Sequence, residues 1–314
     1  MKSAMRAPVL CCFVVASLVA IAACGSTDLQ PIEAPPSGPA GADAGSSPTA
    51  NDGGVTPDPS ADAAAALPVR KRGLAYGYNS DDDLAALSAG IGWWYNWTAK
   101  PDDTLSKGYA GLGVEYVPMV WGKTFDVATL DKQIPKDAKY LLTFNEPNFG
   151  AQSNLTPTDA AALWPPIEAF ANGRGLKIVS PAVNYCGGSC NETDPFVWLQ
   201  KFFTACPGCR VDYIAMHWYA CDRSALVSTL AKYEKFGKPL WLTEIACLDD
   251  KSKVNDADEL AYMKDAVTAL EADPMVFRYA WFTGRHTPSP AISVLGTASG
   301  TLTPLGQQYL SLPR

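Results

Sequence analysis

Eight short segments rich in β-branched, aromatic and other apolar residues alternate along this chain with eight segments of helical pattern. Several of the β-type segments are nearly continuous apolar runs, which is typical of parallel strands covered by helices. Eight such repeats in about 245 residues match a (β/α)8 barrel in number and size. The predicted strands span residues 74–78, 91–96, 114–121, 140–145, 178–184, 213–219, 240–245 and 277–283.

The helical segments lie between these strands, and proline and glycine punctuate the connections. An open doubly wound sheet would show the same alternation, but no glycine-rich phosphate-binding fingerprint follows the first predicted strand. The sequence therefore predicts an α/β fold, a single TIM barrel domain over residues 70–314. The predicted helices span residues 82–88, 105–111, 127–133, 158–172, 195–205, 223–236, 257–272 and 304–310.

Residues 1–23 have the composition of a secretory signal, because Lys2 and Arg6 precede an apolar stretch. The stretch ends in Ile-Ala-Ala-Cys at residues 21–24, which resembles a bacterial lipobox. That resemblance implies that Cys24 is lipidated and becomes the new N-terminus. An ordinary signal peptide or a membrane anchor, with Cys24 incidental, is the alternative.

Residues 24–69 are predicted to be a disordered tether that follows the lipidated cysteine. From residue 25 onwards this segment has eight prolines, six glycines and six acidic residues, without any lysine, arginine or aromatic residue. Such a composition buries too little apolar area to offset the entropy of ordering. Acyl chains on Cys24 would hold the barrel at a membrane surface without spanning it. By resemblance to lipoproteins of bacteria with two membranes, Gly25 after Cys24 favours the outer membrane or the cell surface.

The charge of the chain argues against nucleic acid as a partner. Beyond residue 24 the net formal charge is −9, because both cationic residues of the signal are removed. An acidic surface does not favour phosphate backbones.

Six cysteines follow the signal segment, and an even number in an exported domain favours disulfides, although fifteen pairings are possible. The first two are close enough in sequence to pair locally, and so are the next two. The last two each follow a predicted strand at the same end of the barrel, which makes them a candidate third pair. The six are Cys186, Cys190, Cys206, Cys209, Cys221 and Cys247.

A zinc site is the competing interpretation for Cys206 and Cys209, whose spacing also suits a metal. An oxidising compartment argues against it. The chain has only two histidines, His217 and His286, which disfavours a catalytic metal centre built on histidine. We therefore expect neither a metal nor another cofactor.

Two glutamates directly follow apolar strand runs. Glu146 ends the fourth strand in the motif Asn-Glu-Pro, and Glu244 ends the seventh strand in Thr-Glu-Ile. A carboxylate is costly to bury unless it is hydrogen-bonded or used. Because the carboxyl ends of the strands form the active site of such barrels, we expect these groups to face each other as acid/base and nucleophile.

Other polar side chains lie at the same strand ends. Asn145 precedes Glu146 and is placed to hydrogen-bond a substrate hydroxyl or to hold Glu146. His217 and Tyr219 belong to the sixth predicted strand, and either could orient Glu244 by a hydrogen bond.

The two strand-end glutamates resemble those of the retaining glycoside hydrolases of the 4/7 barrel superfamily, clan A. More narrowly, the chain resembles glycoside hydrolase family 128, the β-1,3-glucanases, over about residues 72–312. Four segments carry the resemblance, at residues 142–148, 212–219, 239–246 and 279–282. The resemblance implies that Glu146 is the acid/base and Glu244 the nucleophile.

The resemblance also implies that aromatic side chains at the strand ends stack on sugar rings, and the chain has nine tryptophans and thirteen tyrosines. We expect the foremost platform at Trp281, which ends the eighth strand, where the superfamily commonly has a tryptophan. Core packing is the alternative for any single one of these residues. The other candidate platforms are Trp121, Trp218, Trp97, Trp94 and Tyr78.

The expected function is thus a lipid-anchored β-1,3-glucanase of the bacterial cell envelope, endo-acting and retaining, with β-glucan as its partner and a monomer as the default. A β-glucan-binding lipoprotein without catalytic activity is one alternative. The same mechanism on another β-glycan is a second alternative, because specificity depends on loops that the sequence does not disclose.

Overall fold

A computed structural model of the protein describes residues 70–105 and 108–314. The predicted signal segment, the lipidation site at Cys24 and the tether lie outside the described residues. None of the helices in the described part of the chain is both long and apolar enough to cross a membrane.

The described chain alternates parallel strands with helices in the predicted order. The strands are β1 (Arg72–Ala75), β2 (Trp93–Tyr95), β3 (Glu115–Tyr116), β4 (Met119–Val120), β5 (Tyr140–Asn145), β6 (Lys177–Ala182), β7 (Ile214–Trp218), β8 (Leu240–Ile245) and β9 (Val276–Trp281). The helices are α1 (Asp81–Leu87), α2 (Val127–Gln133), α3 (Pro157–Arg174), α4 (Pro195–Ala205), α5 (Arg223–Tyr233), α6 (Asp256–Ala272) and α7 (Pro304–Ser311).

The strands form an α/β barrel, as the sequence predicts. One sheet has the order β3-β2-β1-β9-β8-β7, and the other has the order β4-β5-β6. Parallel bridges from Val179 to Tyr213 and from Val183 to Met216 join β6 to β7. On the opposite side, β3 and β4 together form the third predicted strand, which is interrupted next to Pro118, a residue without an N–H to donate.

One predicted helix differs from the structure. The sequence predicts a helix over residues 105–111, whereas the structure has a short 3-10 turn at Ala110–Leu112 that ends on Gly113 in the left-handed region.

Each of the seven α-helices in the described part of the chain is preceded by a capping residue, whose side chain accepts a hydrogen bond from a backbone N–H of the first turn. These capping residues are Ser80, Asp126, Thr156, Asp194, Asp222, Asn255 and Thr303.

Alternation along the strands divides the core in two. An inner cluster, which includes Trp93, Leu142 and Trp241, fills the barrel, while a larger outer cluster packs the strands against the helices. Arg278 is buried inside the barrel, and its guanidinium lies over the rings of Tyr140 and Trp241. Side chains therefore fill the barrel interior below the carboxyl ends of the strands.

All three candidate disulfides are confirmed: Cys186–Cys190, Cys206–Cys209 and Cys221–Cys247. The third joins the loop after β7 to the loop after β8, where the backbone N–H groups of Leu248 and Asp249 also donate to the carbonyl of Tyr219. The loops that follow these two strands are therefore tied together at the barrel mouth.

Glu259, on α6, is a buried carboxylic acid whose protonation is linked to folding. The residue is 0% exposed, and neither carboxylate oxygen has a side-chain partner among the described residues. Burial raises the pKa of Glu259 to about 8, against the opposing effect of the backbone N–H of Cys247. Since the unfolded chain releases this proton near the ordinary value, the folded state holds one more proton up to about pH 8.

We expect the free energy of unfolding to fall as the pH rises from about 5 to about 8, and the Glu259→Gln variant to lose less stability over that range. Urea denaturation at several pH values measures how the free energy of unfolding of each protein changes with pH. Glu234→Gln, at an exposed position, is the matched control and should keep the wild-type slope. If the free energies of unfolding of the wild type and of Glu259→Gln change with pH in the same way, the link between the protonation of Glu259 and folding is wrong.

Candidate active site

The two predicted glutamates meet at one imidazole at the carboxyl end of the barrel. Oε1 of Glu146 lies 2.9 Å from Nδ1 of His217, and Oε2 of Glu244 lies 3.3 Å from the same nitrogen. The three residues are buried, and one ligand atom from each lies within 4.8 Å of the others. Such a group can hold a proton between two carboxylates, and it could also hold a metal ion.

A β-bulge brings Glu244 into the barrel. The register of β8 with β7 skips one residue immediately before the pair of Glu244 and His217, so Thr243 is the extra residue. An extra residue reverses the alternation of a strand. Trp241 therefore faces the interior before the bulge, whereas Ile245 faces the helices after it and Glu244 points inward.

A tight turn positions Glu146 directly after β5. Its φ is +39°, which is uncommon for a residue other than glycine. Its N–H donates to the carbonyl of Ala182 at 3.0 Å, and its carbonyl accepts from the N–H of Phe149 at 3.0 Å. The side chain of Asn184 lies 3.5 Å from Oε1 of Glu146. The main chain therefore fixes the position of Glu146, and its carboxyl group contacts the side chains of His217 and Asn184.

Glu244 accepts three hydrogen bonds from aromatic donors. Tyr95 Oη donates to its Oε1 at 3.0 Å, Trp97 Nε1 donates to the same oxygen at 2.8 Å, and the hydroxyl of Tyr219 donates to Oε2. Burial, and then the charge of Glu244, raises the pKa of Tyr95 and of Tyr219 well above the usual range. Both hydroxyls therefore stay protonated and remain donors.

His217 faces both carboxylates, and their charge favours its protonated form. Burial acts to lower the pKa of this imidazole, but the charge of Glu244 and the hydrogen bond to Glu146 outweigh burial and raise it. Its Nε2 is buried without a hydrogen-bond partner in the described part of the chain. Nδ1 is thus the ring atom that faces both acids.

Asn145 lies beside Glu146 with one end of its amide free. Its Nδ2 donates to Oε1 of Gln152 at 3.2 Å, and its Oδ1 has no partner within the described residues. Asn145 is 5% exposed, so a substrate hydroxyl at this position would satisfy a buried acceptor.

Two predicted aromatic platforms are exposed at the strand ends. Trp121, directly after β4, is 40% exposed, and its carbonyl accepts from the N–H of Asn145. Tyr78, after β1, is 84% exposed. Trp97 is half-buried, and its indole N–H is directed at Glu244. The structure therefore brings Trp97 to the glutamates as a hydrogen-bond donor.

The predicted stacking role of Trp281 and Trp218 is wrong, because both side chains point out of the barrel. Trp281 is 0% exposed and donates to the carbonyl of Ile292 at 2.9 Å. Trp218 is 6% exposed, and both residues belong to the outer cluster. Trp94 is 0% exposed and belongs to the same cluster, so its predicted stacking role is wrong as well. Successive strand residues alternate between the two faces, so a side chain one position away from an inward-facing residue faces the helices.

Phe282 takes the inward position that follows Trp281. It is half-buried, and its ring lies edge-on to Trp97 at 6.0 Å and to Tyr219 at 5.6 Å. The site residues predicted from the sequence do not include Tyr95, Gln152 or Asn184, although Asn184 ends the fifth predicted strand. The two-residue period, counted from the small inward-facing Ala280, could have identified Phe282.

Comparison with known proteins places this geometry among carbohydrate-active enzymes. A family model described as glycosyl hydrolase catalytic core matches residues 73–309. A solved endo-β-1,3-glucanase of family GH128, subgroup II, from Sorangium cellulosum is 48% identical, with a TM-score of 0.74 over 78% of this chain and 99% of that chain.

More distant relatives share the same core. A subgroup I endo-β-1,3-glucanase of GH128 from Amycolatopsis mediterranei, solved with laminaritriose, is 28% identical, with a TM-score of 0.60 over 77% of this chain and 99% of that chain. Alkali-sensitive linkage protein 1 of Schizosaccharomyces pombe is 28% identical over an alignment of 253 positions that covers 77% of this chain and 44% of that protein. This chain thus spans less than half the length of that relative.

Trp281 is buried in the outer cluster and Trp121 is exposed, so their replacement should lower the free energy of unfolding by different amounts. Trp281→Phe leaves a void in the outer core and removes a buried hydrogen bond, so we expect it to lower the free energy of unfolding by about 1–3 kcal/mol. Trp121→Phe, at the exposed position, should change it by less than about 0.5 kcal/mol. Urea denaturation measures both, and equal effects would contradict the assignment of Trp281 to the core.

Proposed function

This chain belongs to glycoside hydrolase family 128, and from that premise we propose that it hydrolyses β-1,3-glucan by a retaining, two-glutamate mechanism. The approach of Glu146 and Glu244 to the same imidazole carries the proposal. Retaining enzymes hold their carboxyl groups about 5–5.5 Å apart, whereas inverting enzymes leave about 6.5–9.5 Å for a water. One carboxylate oxygen of Glu146 and one of Glu244 lie within 4.8 Å of each other, close to the spacing of retaining enzymes, which favours direct displacement.

In the first step, an oxygen of Glu244 attacks the anomeric carbon while Glu146 donates its proton to the glycosidic oxygen. The bond to the leaving sugar breaks, and a glycosyl ester of Glu244 forms. In the second step, Glu146 takes a proton from water, the water oxygen attacks the same carbon, and Glu244 leaves as a carboxylate. The anomeric configuration is retained because the carbon is inverted twice.

The hydrogen bonds support this division of roles. Glu244 is held by Tyr95, Trp97 and Tyr219, so that its orientation and negative charge are maintained before attack. Glu146 has fewer side-chain donors, which suits a group that gives up and takes back a proton. As the first step proceeds, negative charge moves from Glu244 to Glu146, and His217 lies against both.

The exposed aromatic residues support binding of a glucan chain at the barrel mouth. Trp121 and Tyr78 offer exposed rings, and Phe282 lies beside the nucleophile's donors. The unpartnered Oδ1 of Asn145 can accept a sugar hydroxyl. Both GH128 relatives described above are endo-β-1,3-glucanases, which supports endo action here. The catalytic residues all come from one chain, so a monomer suffices.

Replacement of either glutamate tests the mechanism. We expect Glu244→Ala to lower kcat on laminarin by about 10³-fold or more, and Glu146→Ala to lower it by roughly 10²–10⁴-fold. Azide should restore cleavage of an aryl β-glucoside in both variants with opposite anomers of the glycosyl azide, because it replaces water in one and the nucleophile in the other. Glu234→Ala is the exposed control. Parental release of reducing ends by either variant would refute the assignment.

We also propose that the enzyme is tethered to the bacterial cell envelope through a lipidated Cys24, at the outer membrane or cell surface. The support is the sequence Ile-Ala-Ala-Cys at residues 21–24 and the proline- and glycine-rich segment after it. The tether would let the catalytic barrel reach glucan beyond the lipid headgroups.

Substitution of Cys24 tests the anchor. In a bacterial host fed a clickable palmitate, the wild-type protein should take up the label and sediment with membranes, whereas Cys24→Ser should do neither. Cys12→Ser, within the same apolar stretch, is the matched control and should remain labelled. Loss of label in both variants, or in neither, would count against lipidation at Cys24.

A further inference from the structure

The arrangement of the two glutamates and the histidine points to a second property of the same site. We propose that Glu146, His217 and Glu244 form a binding site for Zn²⁺, and that the bound ion inhibits the enzyme by occupying the place of the reacting bond. The inhibition rests on the proposed function, while the binding site rests on geometry alone. The sequence predicts no metal site, because the chain has only two histidines and the six cysteines after the signal segment are expected to form disulfides.

The distances suit a tetrahedral ion. Zinc binds imidazole nitrogen at about 2.0–2.1 Å and carboxylate oxygen at about 2.0–2.2 Å, so neighbouring ligands lie roughly 3.3 Å apart. Nδ1 of His217 is 2.9 Å from Glu146 and 3.3 Å from Glu244. The carboxylate oxygens lie within 4.8 Å of each other. Small side-chain rotations would therefore bring all three atoms into the shell of one ion.

The ligand types favour zinc over magnesium. One imidazole and two carboxylates are suitable donors for Zn²⁺, whereas Mg²⁺ requires near-octahedral oxygen ligands and keeps several waters. The site offers a nitrogen and is buried, so it cannot surround Mg²⁺ in that way. Zinc would bind the neutral imidazole and the two ionised carboxylates, and its two positive charges would neutralise theirs.

The neighbouring hydrogen bonds orient two of the proposed ligands. The hydroxyl of Tyr219 donates to Oε2 of Glu244, and Asn184 lies 3.5 Å from Oε1 of Glu146. Contacts of this kind fix metal ligands in place and strengthen binding. The site is therefore preorganised, even though catalysis rather than metal binding accounts for its construction.

The position of the ion explains why it would inhibit. An ion held by both glutamates occupies the space between the acid and the nucleophile, where the glycosidic oxygen and the anomeric carbon must lie. It also engages the lone pairs that would attack carbon and the oxygen that would carry the proton. Zinc and glucan should therefore exclude each other.

Isothermal titration of the full-length protein with zinc chloride tests the site directly. We expect one tight binding event in the wild type that weakens at least about tenfold in His217→Gln and in Glu146→Gln. His286→Gln is the matched control, because His286 is the other histidine of the chain and contacts neither glutamate in the described structure. It should bind zinc as the wild type does, and magnesium chloride should give no comparable isotherm.

Activity measurements complete the test. Zinc should inhibit laminarin hydrolysis competitively, and EDTA should reverse the inhibition. Glu146→Gln serves as the second ligand variant in case His217→Gln does not fold. Circular dichroism shows whether each variant is folded.

Zinc binding that is unchanged in both ligand variants, or no binding by an active wild type, would overturn the metal site and leave the hydrolase assignment intact. Binding that depends on His217 in a protein without activity on laminarin would support the site and refute the proposed function.

Discussion

The placement of one buried imidazole between two buried carboxylates is the interaction on which the rest of this structure depends. Taking two carboxylates out of water is costly unless partners replace the lost hydration. Here His217 faces both acids through a single nitrogen, and three aromatic donors satisfy Glu244. A barrel supplies such partners because the ends of all its strands converge on one small volume.

The rest of the fold holds this group in place. The bulge at Thr243 turns Glu244 inward, and the turn at Glu146 is anchored to the carbonyl of the neighbouring strand. The Cys221–Cys247 disulfide and two backbone hydrogen bonds tie the loop of Tyr219 to the loop that follows Glu244. The proposed catalytic groups are thus carried by strand ends that are tied in place, which limits their motion relative to a bound substrate.

The same group explains both the proposed catalysis and the proposed inhibition. Two oxygens and a nitrogen within a few ångströms can pass a proton, attack a carbon atom or chelate an ion, and which of these occurs depends on what enters the site. Glucan and zinc would compete because both use the same lone pairs.

Much of this protein was predictable from residue order. The alternation of strand and helix segments predicted the barrel, and the disulfide pairs followed from spacing and strand ends. Glu146, Glu244, His217 and Tyr219, which the structure brings together, were predicted because polar residues after apolar strand runs stand out. Trp281 was assigned to the wrong face, because the sequence marks where a strand ends more clearly than which side its last residue faces.

The sequence by itself therefore determined which segments form strands and helices, and which polar and aromatic residues lie at the strand ends. Only the tertiary structure decided which side chains face inward, because a single extra residue at Thr243 reverses the alternation and no local pattern records it. Only the closed barrel could bring Tyr95, at the end of β2, and Trp97, just after it, to a carboxylate on β8. Hydrogen bonds between residues about 150 positions apart depend on how distant strands are registered, and register is a property of the whole sheet.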